Sequence, residues 1–139
     1  MSTQNKDREF LLSVVREMTK SMTGKQSTKH WSSDVLWYDI PPFASRGIEP
    51  AIKMFDTVFG SFKSYEVFIL ETDVMMSELM GVVCTIQKID ILFKDGTRRT
   101  VMVRETDVFK KDEDNQWFLV HQHASVPSGG DWDGRIIIA

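Results

Sequence analysis

The sequence predicts an α+β fold: a cone-shaped α+β barrel with three N-terminal helices packed on the concave face of a strongly curved, mostly antiparallel sheet. Three observations predict it. Apolar residues at helical spacing are confined to the chain before Gly60. After Gly60 come four long runs rich in β-branched and aromatic residues, separated by short turn signals. Helices first and strands afterwards is an α+β order, and strands this long must twist and curve, which gives the sheet a concave side.

Each element has its own warrant. Phe10, Leu11, Val14, Val15, Met18 and Met22 recur at helical spacing behind the polar start Asp7-Arg8-Glu9, predicting a first helix over about residues 5–22. Thr23-Gly24 breaks it, and Gln26 to Trp31 reads as a short second helix. Val35 to Asp39 reads as a short strand. Glu49-Pro50 opens a third helix, proline being tolerated in the first turn. Its apolar face is Ile48, Ala51, Ile52, Phe55, Val58 and Phe59, and Gly60 ends it. The strands are Tyr65 to Met76, Met80 to Phe93, Thr100 to Lys110 and Gln116 to Val126. Asp95-Gly96 marks one hairpin, and the polar stretch Asp112-Glu113-Asp114-Asn115 another. Residues 128–139 read as a Gly/Asp loop with an apolar C-terminal tail, Ile136-Ile137-Ile138-Ala139.

Bulk properties narrow the function. A chain of 139 residues fits a single domain, 1–139, with a core that needs neither disulfides nor metals. The net charge of −3 and scattered Lys and Arg argue against nucleic-acid binding. The one cysteine, Cys84, has no partner for an internal disulfide and reads as a small hydrophobe in a strand. The polar start lacks the apolar core of a signal peptide, and no apolar run is long enough to cross a bilayer. These features predict a cytoplasmic protein with no membrane contact. Helices laid across a concave sheet leave an apolar interior suited to a small hydrophobic molecule. The eight methionines suit an adaptable cavity and equally suit ordinary packing.

Asp39, in Trp37-Tyr38-Asp39-Ile40-Pro41-Pro42, is the leading candidate for chemistry. An acid behind two aromatics is set where burial raises its proton affinity, the usual way to make a general base or acid near neutral pH. Its other role is local: an Asp before a turn accepts a backbone N–H two residues on. Asp107 shares strand parity with Val101, Val103 and Phe109, but also with Glu105, so the two acids either line a pocket or pair with Lys110 or an arginine. Tyr38, Trp37, Phe43 and Phe59 read as core and pocket wall. His121 and His123, at alternate strand positions, can share a metal only with a third ligand, which no spacing supplies, so no metal is expected. No cofactor is expected either.

Two stretches resemble the nuclear transport factor 2-like superfamily, in particular its SnoaL-like and ketosteroid isomerase-like members. The first is Ser33-Asp34-Val35-Leu36-Trp37-Tyr38-Asp39-Ile40-Pro41-Pro42, then Gly47 and the helix carrying Phe55. The second is Arg104-Glu105-Thr106-Asp107-Val108-Phe109-Lys110-Lys111, an acidic turn, and Trp117-Phe118-Leu119-Val120-His121-Gln122-His123-Ala124-Ser125. This second stretch is also similar to the calmodulin-dependent kinase association domain. The resemblance spans Met1 to Pro127. It places Asp39 where ketosteroid isomerases keep their general base, and Asp107 where they keep the protonated aspartic acid already known from that family. It places Trp31 and Phe55 at pocket positions, and turns Val120, Gln122 and Ala124 to the concave side, with His121, His123, Arg104 and Thr106 on the outer face. Trp37 and Phe59 complete the expected ligand wall. A bulge in the last strand would reverse its facing.

One departure matters. The family's oxyanion tyrosine should come from the first helix near Val15, and that helix holds no tyrosine. Losing such a donor costs about 2.7–4 kcal/mol of transition-state stabilisation, so steroid isomerisation is not expected. Two readings follow. One is a cofactor-free isomerase, cyclase, dehydratase or hydrolase, with Asp39 moving a proton and Asp107 or Gln122 polarising the reacting oxygen. The other is a non-catalytic binding or dimerisation module. A homodimer through the outer face of the sheet is expected, because Trp117 and Leu119, read as lying on that face, need cover.

Overall fold

The computed structural model describes residues 2–39 and 44–126; Phe43 and the C-terminal loop and tail lie outside them. In chain order the elements are α1 (Thr3–Met18), α2 (Gly24–Ser27), β1 (Trp31–Tyr38), β2 (Ala44–Arg46), α3 (Ile48–Gly60), β3 (Phe62–Met76), β4 (Met80–Phe93), β5 (Arg98–Lys111) and β6 (Trp117–Ser125). The strands form one sheet in the order β2-β1-β6-β5-β4-β3. β1 pairs parallel to β6, and every other pair is antiparallel. Three helices pack against this sheet, which is curled but not closed into a barrel.

Both predicted hairpins form. Gly96 takes φ +89° in the β4–β5 turn, and Asn115 takes φ 59° in the β5–β6 turn, where its short polar side chain tolerates the left-handed region. α1 starts where Ser2 caps the amide of Asn5 at 3.1 Å. It stops at Met18 rather than near Met22, because the Gln26 side chain accepts the Met22 amide and the Thr23 hydroxyl caps α2. Trp31 leaves the expected second helix and opens β1, where Leu119 N donates to His30 O at 2.8 Å beside it. Sheet pairing here outweighs local helical preference.

Leu11, Val14 and Val15 of α1 are buried against Val83, Phe109 and Leu119 of the sheet. Each such side chain removed from water is worth about 1.5–3 kcal/mol. This core fills the α1 end of the cone and leaves the α3 end to a cavity.

The last hairpin corrects the expected facing of β6. Asp107 pairs with Gln122 and Val108 with His121, but Phe109 pairs with Leu119, so Val120 is an extra residue in a bulge. Gln122 and Ala124 therefore face inward together with Trp117 and Leu119, which are buried. Trp117 and Leu119 do not lie on the outer face, and they give no reason to cover it.

Candidate active site

A cavity of about 220 Å³ lies between the aromatic face of α3, the end of α1 and the inner face of the sheet. Its wall is made by rings that hold one another. Phe55 packs on Trp31 (centroids 5.7 Å apart) and on Trp37 (5.0 Å). Phe59 stacks on Phe55 at 5.9 Å and on Tyr65 at 5.7 Å. Phe55 and Phe59 are one helical turn apart on α3, so a single helix face delivers both. Val67, Ile89, Val101 and Val103 close the sheet side.

Two carboxyls, Asp39 and Glu105, and two amides, Gln87 and Gln122, interrupt this lining, together with the hydroxyls of Thr19, Ser27 and Tyr65. Asp39 is the first residue beyond β1, half-buried at the cavity wall. Glu105 projects inward from β5. Gln87 Nε2 donates to Glu105 Oε2 at 3.2 Å and to Thr85 Oγ1 at 2.9 Å. Lys, Arg and His are absent from the cavity-lining residues among those described.

Asp107 stands behind this surface. It is fully buried and does not line the cavity. Trp37 Nε1 donates to Gln122 Oε1 at 3.2 Å, and Gln122 Nε2 donates to Asp107 Oδ1 at 2.8 Å. Asp107 Oδ2 receives no amide, hydroxyl or ammonium hydrogen among the described residues. The carboxyl within hydrogen-bonding range of Asp107 is that of Glu105. Two carboxyls can hydrogen-bond only if one keeps its proton, in line with the raised proton affinity of both groups. Burial, then the charge and hydrogen bond of Asp107, then the charge of Asp39 push Glu105 well above its ordinary 4.5, against the pull of Gln87. Burial raises Asp107 to about 6, restrained by its hydrogen bonds to Glu105 and Gln122.

The structure thus brings Asp39, Trp31, Trp37, Phe55, Phe59 and Gln122 to one cavity. It sets Asp107 one layer deeper and takes Val120 out, since the bulge residue is not part of the lining. Neither Glu105 nor Asp107 pairs with Lys110 or an arginine among the described ion pairs. His121 and His123 are on the outer face, both edge-on to Tyr38, and His121 Nδ1 donates to Leu36 O at 2.8 Å. Tyr38 is therefore outside the wall, exposed. Cys84 is half-buried on the same outer face beside Thr106.

The sequence reading left Glu105 open between pocket wall and ion pair, and it did not single out Gln87 or Tyr65, which also line the cavity. Gln87 carried a signal, a polar side chain within the inward series Val83, Thr85, Gln87, Ile89. Tyr65 supplies the one phenol of the lining, but its hydroxyl donates to the carbonyl of Ser21, and burial pushes it up to about 12.

The family model of the SnoaL-like domain matches residues 14–129. Among solved structures, a nuclear transport factor 2-like superfamily protein from Salmonella enterica superposes with a TM-score of 0.81 at 17% identity, covering 94% of this chain and 99% of that one. A proposed dehydratase of the same superfamily from Streptomyces avermitilis gives 0.78 at 14% identity, covering 90% and 99%. A proposed ketosteroid isomerase from Parabacteroides distasonis gives 0.65 at 18% identity, covering 87% and 88%. At these identities the likeness is one of fold. No match to a curated protein was found.

Proposed function

Because the chain belongs to the SnoaL-like domain family, we propose that its cavity is a cofactor-free active site that moves a proton on a small hydrophobic substrate. The reaction is of the isomerase, cyclase, dehydratase or hydrolase type. The observation that carries this reading is that Asp39 and Glu105 both line one cavity whose other walls are mostly apolar and aromatic. Asp39 takes or returns the proton. Gln122 has one amide hydrogen committed to Asp107; the other reaches only the Met18 thioether, at 4.0 Å, and serves the substrate's oxygen. Trp31, Trp37, Phe55 and Phe59 hold the ring or chain. The 220 Å³ volume falls just below the usual range for small-molecule sites, roughly 300–1,000 Å³, and favours a compact ligand. Steroid isomerisation is not proposed, since α1 provides no tyrosine and Tyr65 is engaged with Ser21.

The test is deuterium uptake in D₂O at the carbon beside the carbonyl of 1-indanone, 2-tetralone and 2-cyclohexenone, followed by NMR. The expected result is exchange above the buffer rate with at least one probe, reduced by about 10²–10⁴ in Asp39→Asn. Exchange that Asp39→Asn leaves unchanged, or none with any probe, overturns the reading. The engaged phenol of Tyr65 favours a second reading, a non-catalytic binding module. That reading predicts calorimetric binding of the same ketones with no exchange. We also propose a homodimer through the outer face of the sheet, on grounds other than Trp117 and Leu119.

A further inference from the structure

We propose that the outer face of the sheet docks a second copy of the chain in one orientation. A twofold axis runs along the strands over β4 and lays β3 of each copy on β5 of the other. This rests on the homodimer proposed above and adds how the two sheets are turned. Residues paired across neighbouring strands point to the same face, so the register assigns each outer position. On β3 the paired outer positions hold Glu66, Glu71 and Asp73 and no base. On β5 they hold Arg98, Arg104 and Lys110 and no acid. All these residues are exposed. Between them β4 is neutral, because its outer charges, Lys88 and Asp90, stand 3.9 Å apart and cancel. Its Val82 and Ile86 are half-buried.

An acidic strand and a basic strand on either side of a neutral one make a surface that fits itself after a half-turn. Two half-turns bring the sheet face to face with its copy. An axis across the strands lays β3 on β3 and β5 on β5, acid on acid and base on base. An axis along the strands reverses their order and sets acids over bases. Packed sheets lie about 10 Å apart, close to the screening length at physiological salt, so the sign of these contacts is felt. A foreign partner would need the same two charged stripes at the same spacing, and this chain already carries them.

Glu71 and Arg104 make the relation concrete. Both lie in the row through Ile86 of β4, one strand to either side of it. A twofold axis over β4 exchanges their places, so Ile86 meets its own mate between two Glu71–Arg104 pairs. The same half-turn sets Met75 over Val108 and Phe68 over Met102, apolar on apolar, as the register of β3, β4 and β5 requires. Lys88, next along β4, leans off the axis toward β3, its Nζ 5.3 Å from the Phe68 ring. Charge and apolar pattern thus select the same half-turn.

The test is sedimentation velocity of Glu71→Lys, of Arg104→Glu and of their equimolar mixture at low salt. Each substitution turns two symmetry-related attractions into repulsions, so each variant alone should dimerise about tenfold or more weaker than the wild type. In the mixture Glu71 again meets Arg104, and the introduced lysine meets the introduced glutamate. The mixture should return to within a few fold of the wild-type affinity. Circular dichroism checks the folding of both variants. Should either not fold, the wild type carries the test through salt: raising NaCl from about 0.05 M to about 0.5 M should weaken its dimer. A wild-type dimer that salt leaves unchanged or tightens, single variants that dimerise like the wild type, or a mixture no tighter than its components overturns this orientation. Those results leave the homodimer itself standing, whereas a wild-type monomer at micromolar concentration ends both.

Discussion

Asp56 of α3 accepts the backbone amide of Gly24 at 2.7 Å, tying the start of α2 to the helix that carries the cavity's aromatic wall. The two helices touch backbone to backbone here: a Cβ on residue 24 would stand 2.2 Å from the carbonyl oxygen of Ile52. Gly24→Ala must push α3 away and should destabilise the fold by about 1–3 kcal/mol. Asp56→Ala removes a charge-assisted bond and should cost about 1.5–3 kcal/mol. Because both act on one contact, the double variant should lose less than the sum in urea denaturation. A Gly24→Ala protein as stable as the wild type would show that this approach does not occur in solution.

Tyr65 provides a second check on the cavity wall. Its hydroxyl is held by the Ser21 carbonyl, and burial raises the phenol to about 12. In a Tyr38→Phe background, tyrosinate absorbance should stay below its midpoint until about pH 12. Tyr65→Phe should cost about 1 kcal/mol of stability. It should leave ketone exchange within a few fold of wild type, since the phenol faces the backbone. A loss as large as that of Asp39→Asn would instead make Tyr65 the missing oxyanion donor.

The α1 end of the cone predicts a pH effect of definite sign. Lys111 Nζ lies 3.0 Å from Asp7 Oδ2, joining β5 to the second turn of α1. Burial pushes the Asp7 carboxyl up, but the hydrogen bond and charge of Lys111, with the nearby Trp117 indole, outweigh it, holding it below its ordinary 3.8. A carboxyl depressed in the folded state contributes stability that is complete above its unfolded value and lost as pH falls through the folded one. Asp7→Asn should therefore cost on the order of 1 kcal/mol at pH 7, a gap that narrows as pH is lowered from about 4. A gap that is constant or grows on acidification would show that Asp7 does not act through its charge.

How far the sequence could be read depended on whether a feature was periodic. The four long strands and their turns were legible because alternation and Asp95-Gly96 are local signals, and α3 was legible from its apolar face. β2 was not, since Ala44-Ser45-Arg46 is too short to show a period. The Val120 bulge was invisible for a different reason. Trp117 to Ser125 carries apolar residues at both parities, so one extra residue leaves no trace in the pattern. The acids show the sharpest limit. Glu105 and Asp107 share parity, and only depth separates them. That depth comes from α1, whose Leu11 and Val14 fill the cone beside Phe109 and leave Asp107 under cover. Sequence spacing reports which face a residue takes, not how far along the cone another element covers it.

The outer face of the sheet carries the last prediction. Met75, Val82, Val108, His121 and Leu36 stand in register across five strands, from β3 to β1. Three rows further on, beyond the rows of Cys84 and Ile86, Phe68, Lys88 and Met102 are also in register, and Lys88 Nζ lies 5.3 Å from the Phe68 ring. Met75 is 58% exposed and Phe68 39%, so each of these two rows presents apolar side chains to solvent. A second copy of the chain would cover them face to face, each row meeting its own symmetry mate. The protein should therefore sediment as a dimer at micromolar concentration. Val108→Glu, placing a charge at the centre of the row, should shift it to monomer with its circular dichroism unchanged. A wild-type monomer under those conditions, or a dimer that Val108→Glu does not weaken, rules out this interface.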